Sequence, residues 1–461
     1  MEDFDALVSI VQQSTPGASA TTDKRLLHSL AVDGVDPRLV VTPGTIDDMA
    51  SVIQQLHQYT LTVLPSGEGT KLNTGGLPEE IDILLKTTAL NHVLEHEAAD
   101  LTCFVEAGIT LESLQQQLAT RGQRLAIDPP DPDRSTIGGI LATNSSGPKR
   151  FRYGTARDLV IGLQVIQANG EIARSGGRVV KNVAGYDLNK LYIGSYGTLG
   201  IIVTANFKLH PIPETERTLL LSYHHIHDLV QTVITLTNSH LTPSAIELLT
   251  SEVSTAINHD DSPQQGTHYT LAVDFEGSTI AMTRQINEVL KIANQHHALS
   301  KDDIVGQEQN NFWQTVRERM YGKLTCKVGI LVSQQAAYIQ HVEQICHEQH
   351  LDATIIAHAG NGILYISIAL INIACDLDMS DLAHEQTSDK EIVRILETIT
   401  ALRQRAYEMK GFLIVERCPT MLKRYLSIWG ETGAGFYLMQ RLKQQFDPQG
   451  LFVRGRFLGG L

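Results

Sequence analysis

The chain has 461 residues, 42% of them apolar and 19% charged, and a formal net charge of −14. One hydrophobic core rarely serves that length, so two or three domains are expected, and the acidic surface argues against a nucleic-acid binder, which needs a basic face for phosphates. The five cysteines are scattered with no C-x-x-C pair, which argues against a cysteine-held zinc or iron–sulfur site and fits a reducing, cytoplasmic compartment.

Residues 1–32 read as an N-terminal helix and linker, without the basic and apolar regions of a signal peptide. "LVVTP" is then a strand. Thr45 stands as a helix N-cap with Asp48 three residues on, and Ile46, Met49, Val52, Ile53 and Leu56 follow at helical spacing. "LTVLP" is a second strand, and it feeds the loop "SGEGTKLNTGG". "LTCFVEAG" is another strand, and Thr110 caps a helix that carries Leu111, Leu114 and Leu118 on one face. "LVIGLQVIQANGEIARSG" predicts a hairpin, with Asn169-Gly170 as a two-residue turn. "GSYGTLGIIVTANFKLHPIP" closes one α+β domain over 33–213.

From 214 to 425, strand-like and helix-like segments alternate, which predicts a second α+β domain with an antiparallel sheet. Residues 426–461 form a C-terminal helix and tail. Leu438, Leu442 and Phe446 lie at helical spacing as a packing face, and Asp447-Pro448 stops the helix. No run reaches the apolar length that spans a bilayer.

Three glycine-rich segments stand out: Pro65–Gly76, Asp128–Gly154 and Gly176–Gly200. Glycines let backbone N–H groups approach an anion without a Cβ in the way, and Ser, Thr and Asn add neutral donors. That mixture suits a diphosphate. "GEGTKL" does not fit G-x-x-x-x-G-K-[ST], and Leu72 occupies the third glycine position of G-x-G-x-x-G, so P-loop and Rossmann readings are disfavoured.

"LPSGEGTKLNTGG", "STIGGILATNSSGPKRFRYGTARDLV" and "GGRVVKNVAGYDLNKLYIGSYGTLGIIVTANFKLHP" resemble the PCMH-type FAD-binding domain of the vanillyl-alcohol oxidase flavoprotein superfamily. The third segment, "AHAGNGILY" and the tail "MQRLKQQFDPQGLFVRGRFLGGL" are similar to glycolate oxidase FAD-binding subunits, so the resemblance covers most of the chain. It implies FAD held between two α+β subdomains. Pro65, Ser66, Gly67, Glu68, Gly69 and Thr70 would hold the pyrophosphate, with Asn73 nearby. Thr136, Gly138, Gly139, Asn144, Ser145 and Gly147, with Tyr153 and Gly154, would form the second wall. Gly200 and Ile202 would flank the flavin or adenine. Pro65–Gly76 contains no His or Cys, which points to noncovalent FAD.

The same resemblance implies oxidation of a short 2-hydroxy acid such as glycolate. Electrons would pass to an iron–sulfur subunit beside a paralogous flavin subunit, and any contact with the inner membrane would be made through those partners. The flavin carries the redox chemistry, while the protein supplies a base and a carboxylate-binding cation. His358 in "AHAGNG" is the candidate base, although a lone His at a strand end is more often a hydrogen-bonded structural group. Arg417 is the candidate cation, facing the flavin or pairing with Glu416. Lys181 and Arg178 lie in the most specific segment, and Tyr186 and Asp187 brace it. Related D-2-hydroxy-acid dehydrogenases carry an HxH pair and a later GEHG; here "AHAG" lacks the second His and the later stretch reads "VERCP", so no metal is expected. Two other readings stay open: a non-catalytic assembly subunit that has kept the flavin fold, and a stand-alone D-lactate dehydrogenase.

Overall fold

The computed structural model describes residues 17–59, 61–177, 186–251, 269–370 and 385–461, with Val8, Val11 and Val253. These divide into two compact units. The first comprises Met1–Gly147, Tyr153–Ile212 and Glu431–Leu461, and the second Pro148–Arg152 and Pro213–Gly430.

In the first unit, β1 (Ser19–Thr21), β2 (Leu39–Thr42), β3 (Val63–Ser66) and β4 (Ile83–Lys86) form a sheet in the order β1-β2-β4-β3, parallel except at β1. Parallel strands are covered on both faces. Leu39-Val40-Val41 and Ile83-Leu84-Leu85 are accordingly unbroken apolar runs, all buried. The helix Ile46–Leu56 connects β2 to β3. Thr45 caps it, its hydroxyl accepting the Asp48 N–H at 3.1 Å, and Met49, Val52, Ile53 and Leu56 are fully buried beneath it.

The second sheet of this unit is antiparallel. It takes β5 (Val93–Glu97) and β6 (Thr102–Glu106); then, past the short β7 (Gln123–Arg124), β8 (Val160–Ile166), β9 (Ile172–Gly176) and β10 (Ile201–Lys208), in the order β5-β6-β10-β8-β9. β7 pairs instead with β11 (His210–Pro211). Thr110 caps the helix Leu111–Ala119, whose Leu111, Leu114 and Leu118 are buried in the core under this sheet.

Two local expectations are corrected. The β8–β9 hairpin forms, but its connection spans residues 167–171 instead of Asn169-Gly170 alone. Gly170 N–H donates to Gln167 O and Gln167 N–H to Glu171 O, with only Gly170 at positive φ (83°). That is a turn followed by a left-handed residue, not the paired left-handed residues of a two-residue turn. In the helix Phe436–Phe446, Leu438 and Leu442 are 50% and 36% exposed. Lys443 is the buried residue, and Phe446 alone of the expected face packs inward, edge-on against Tyr192.

The second unit is built on one eight-stranded antiparallel sheet, as the strand-and-helix alternation led us to expect. Its strands are β12 (Thr215–Tyr223), β13 (Ala245–Thr250), β14 (Tyr269–Gly277), β15 (Lys301–Ile304), β16 (Leu324–Gly329), β17 (Ala353–His358), β18 (Ile363–Ile368) and β19 (Phe412–Arg417), in the order β15-β12-β14-β13-β17-β18-β16-β19. Side chains alternate between faces. One face presents Leu248, Ala357, Leu364, Val328 and Val415 to a core shared with helices Ile226–Thr237, Thr279–Gln295, Gln335–Glu348 and Glu385–Glu408. The other face therefore receives Glu247, His358, Tyr365, Lys327 and Glu416. Residues 148–152 join this unit through Lys149, which pairs with Glu216 and Glu276, and through Arg152, which donates to Glu276 O at 3.2 Å.

Candidate functional site

The three glycine-rich segments converge in the first unit. The loop Gly67–Gly76 leaves the end of β3. A Cβ on Gly67 would lie 2.1 Å from Thr136 Oγ1, so the first and second segments touch through a position that only glycine fits. Thr136 caps the helix Ile137–Thr143 by accepting the Gly139 N–H at 3.2 Å. The third segment lies against that helix, with Gly194 N–H donating to Leu141 O at 3.0 Å and Tyr196 N–H to Ala142 O at 2.8 Å. Gly197 brings it to within van der Waals reach of Pro65.

A continuous cleft results. Pro65, Ser66, Gly67, Glu68, Gly69, Thr70, Thr136, Gly138, Gly139, Gly200 and Ile202 line it. The other candidates do not. Asn73 is exposed; Asn144 and Ser145 follow the lining residue Thr143; Gly147 packs against Asp128 O. Tyr153 accepts from Arg124 and stacks edge-on against His210, while Gly154 forms a left-handed turn over Asp158. Thr87, Lys71, Ser195, Tyr196 and Arg456 also line the cleft and were not singled out from the sequence. Lys71 and Arg456 give it positive charge. Arg178 and Lys181 lie outside the described residues, and Tyr186, expected to brace its segment, is almost wholly exposed.

In the second unit, antiparallel register sets Glu247 directly opposite His358. His358 Nδ1 lies 2.7 Å from Glu247 Oε1, and both side chains are buried, at 1% and 0% exposure. "AHAGNG" makes the tight β17–β18 turn. Gly362 takes a left-handed φ of 69°, and a Cβ on Gly360 would meet the Phe151 ring at 2.4 Å. Burial first, then the positive charges of Arg150 and Lys327, hold His358 well below the usual histidine range. The carboxylate contact works in the opposite direction. We take burial and the two cations to outweigh it, so the ring is neutral. A neutral ring that donates its Nδ1 proton to Glu247 carries its lone pair on Nε2, and Nε2 has no hydrogen-bond partner among the described residues.

The row continues across the sheet. Tyr365 packs edge-on against His358 at 5.3 Å between ring centroids, and Lys327 Nζ lies 5.5 Å from the centre of the Tyr365 ring. Lys327 pairs with Glu416 at 2.9 Å. The Arg417 guanidinium lies over the Tyr321 ring at 5.1 Å. Burial raises the Tyr365 phenol, and burial with the Glu416 charge raises Tyr321 further, so both stay protonated.

Comparison with known proteins agrees with this geometry. Residues 37–176 match the FAD binding domain family, and residues 212–457 match the C-terminal domain of FAD linked oxidases. The chain belongs to the FAD-linked oxidases. Among curated relatives it is 27% identical over 432 residues to glycolate oxidase subunit GlcD of Bacillus subtilis, covering 91% of this chain and 88% of that protein. It is 26% identical over 439 residues to a probable mitochondrial D-lactate dehydrogenase of Danio rerio, covering 92% and 84%. The fold is that of 4-ethylphenol oxidase from Gulosibacter chungangensis, with a TM-score of 0.76 at 15% identity, covering 98% and 96%.

The cleft of this FAD-linked oxidase fits its cofactor on two grounds. Gly67 lets the first segment close directly onto Thr136, where a methyl group would collide, so the two walls of the cleft meet at a position only glycine fits. Asn144 Oδ1 and Ser145 Oγ, next along the chain from the lining, are buried without a hydrogen-bond partner among the described residues. Leaving such groups unmet costs about 1–3 kcal/mol each, which a polar ligand offsets. No helix among the described residues is long and apolar enough to cross a membrane.

Proposed function

We propose that this chain oxidises a short 2-hydroxy acid, glycolate or D-lactate, with noncovalent FAD. We further propose that it is the FAD-binding subunit of a cytoplasmic glycolate oxidase-type complex, in which a paralogous flavin subunit and an iron–sulfur protein carry electrons onward. The observation that carries the reading is the glycine-built cleft of the first unit; the second unit, taken by itself, contains a buried His358–Glu247 pair. Among the described residues, those lining the cleft include neither His nor Cys, which supports noncovalent attachment.

Pro65–Thr70, Thr136, Gly138 and Gly139 hold the diphosphate half of the cofactor. Bound FAD supplies the two-electron acceptor for the C2–H bond. His358 Nε2 takes the hydroxyl proton, and Glu247 fixes the tautomer that leaves Nε2 basic. Lys327 and Arg150 place positive charge near His358, which would attract an acid's carboxylate. Arg417, the candidate carboxylate-binding cation, lies over the Tyr321 ring.

A second reading, a flavin-binding subunit that assembles the complex without turning over, is favoured by one observation: His358 is 1% exposed. One experiment separates the two. The chain is purified alone, loaded with FAD and mixed anaerobically with glycolate or D-lactate. Bleaching of the flavin band supports catalysis by this chain; an unchanged spectrum that bleaches only when partner subunits are added supports the assembly role.

A further inference from the structure

The last stretch of the chain returns to the cofactor cleft along a route fixed by two buried cations. Lys443 donates to Thr198 O at 2.9 Å, in the third glycine segment, and to Asp447 at 2.6 Å. Asp447 accepts the N–H groups of Leu451 and Phe452 at 2.8 and 2.9 Å, which turns the chain. Residues 451–453 then lie beside β3: Val63 N–H donates to Leu451 O at 2.7 Å and Val453 N–H to Val63 O at 3.1 Å. Immediately beyond, Gly76 N–H donates to Arg456 O at 3.0 Å, and Gly75, at φ 100°, leaves room for that carbonyl.

Arg456 is 5% exposed. Its Nη1 donates to Gly76 O at 3.0 Å and to Asp33 Oδ2 at 2.9 Å, and its Nη2 to Thr74 O at 2.5 Å and to Leu72 O. One planar guanidinium thus holds three carbonyls of the loop that bounds the cleft, and it lines the cleft itself. A glycine-rich loop loses much conformational freedom when it closes on a ligand. Fixing it beforehand removes that cost from binding, and engaging three carbonyl oxygens screens their negative ends from a diphosphate.

We propose that Arg456 is a positioning residue for FAD: it sets the loop Gly67–Gly76 in its binding form, so the C-terminal tail determines cofactor affinity. This rests on the FAD reading of the same cleft. Lysine does not replace it, because an ammonium lacks the planar fork that spans these acceptors.

The test titrates FAD into the full-length apoprotein and follows flavin fluorescence, with melting temperature measured in parallel. Wild-type protein binds FAD. Arg456→Ala and Arg456→Lys each raise the Kd roughly 10- to 100-fold, the scale of losing charge-assisted hydrogen bonds. Asp33→Asn removes the ionic partner but leaves the loop carbonyls engaged, so it lowers the melting temperature while moving the Kd less than about threefold. If Arg456→Ala does not fold, Arg456→Lys and Asp33→Asn decide the matter. A wild-type Kd in Arg456→Lys, or a Kd that rises in step with lost melting temperature across all variants including Asp33→Asn, overturns the proposal. Failure of the wild-type chain to bind FAD removes the cofactor reading itself and is seen separately.

Discussion

His358 and Glu247 stand opposite each other on neighbouring strands, 2.7 Å apart from Nδ1 to Oε1, with neither reaching solvent. A carboxylate behind a neutral imidazole fixes which nitrogen bears the proton, and that makes the far nitrogen a base. His358→Asn keeps a donor toward Glu247 and deletes the base. Flavin reduction by the 2-hydroxy acid is expected to slow by roughly 10²–10⁴-fold, with FAD content unchanged because His358 is not among the residues that line the cleft. Stopped-flow absorbance of the flavin band measures it; an unaltered rate removes His358 from the chemistry.

The depressed His358 titration also sets a pH dependence. In the unfolded chain this group takes its proton near pH 6.5, while in the folded protein it resists doing so. Its contribution to stability is therefore fully present above about pH 6.5 and is lost as pH falls from there toward the folded value. Between pH 7.5 and 5, wild-type protein should lose more melting temperature than His358→Asn. Equal losses in the two would show that His358 is not held neutral.

Asp274 acts in the opposite direction. It is buried on the polar face of the sheet, accepting from Thr218 at 2.7 Å, Ser244 at 2.5 Å and Gln309 at 2.8 Å, and burial raises it from 3.8 to about 6. The folded state binds this proton more tightly than the unfolded one. Stability from this group is thus present at low pH and is lost as pH rises from about 4 to 6, by about 3 kcal/mol. Denaturant melts of wild type and Asp274→Asn at pH 4.5 and 7 measure the difference, which should shrink in the variant.

Gly67→Ala tests the cleft. The added methyl meets Thr136 Oγ1 at 2.1 Å and Thr136 Cγ2 at 2.9 Å, so one wall must move. Overpacking of this kind costs about 1–3 kcal/mol. The variant should fold and show FAD affinity lowered by roughly 10- to 100-fold, read by equilibrium dialysis. Wild-type affinity would mean that the cofactor does not depend on this contact.

The sequence displayed what depends on short spacing. Thr45 and Thr110 cap helices whose apolar residues recur every three or four positions, and both helices form with those residues buried, Ile46 half so. The glycine segments announced themselves by composition, and they meet in one cleft. What remained hidden was set by sheet register and by chain return. Glu247 lies 111 positions from His358, and only the pairing of β13 with β17 brings them together. Asp33 and Arg456 are 423 positions apart. Lys443 misled for a different reason: its apolar neighbours Leu438 and Leu442 suggested the buried face, but an ammonium that finds Asp447 and two backbone carbonyls can be buried in their place. Glu416 was a candidate partner for Arg417 because they are adjacent, but the strand pairing is irregular there: Glu416 pairs across the sheet with Lys327, and Arg417 lies over the Tyr321 ring.

The central claim is that this chain binds FAD in the three-segment cleft and passes it electrons from a short 2-hydroxy acid. The most direct measurement is an anaerobic spectral titration of the FAD-loaded chain, alone and with its partner subunits, using glycolate and D-lactate. We expect a flavin spectrum that is retained through gel filtration and that bleaches on addition of one of these acids in at least one of the two preparations. A chain that retains no flavin, or a flavin that neither acid reduces in either preparation, would contradict it.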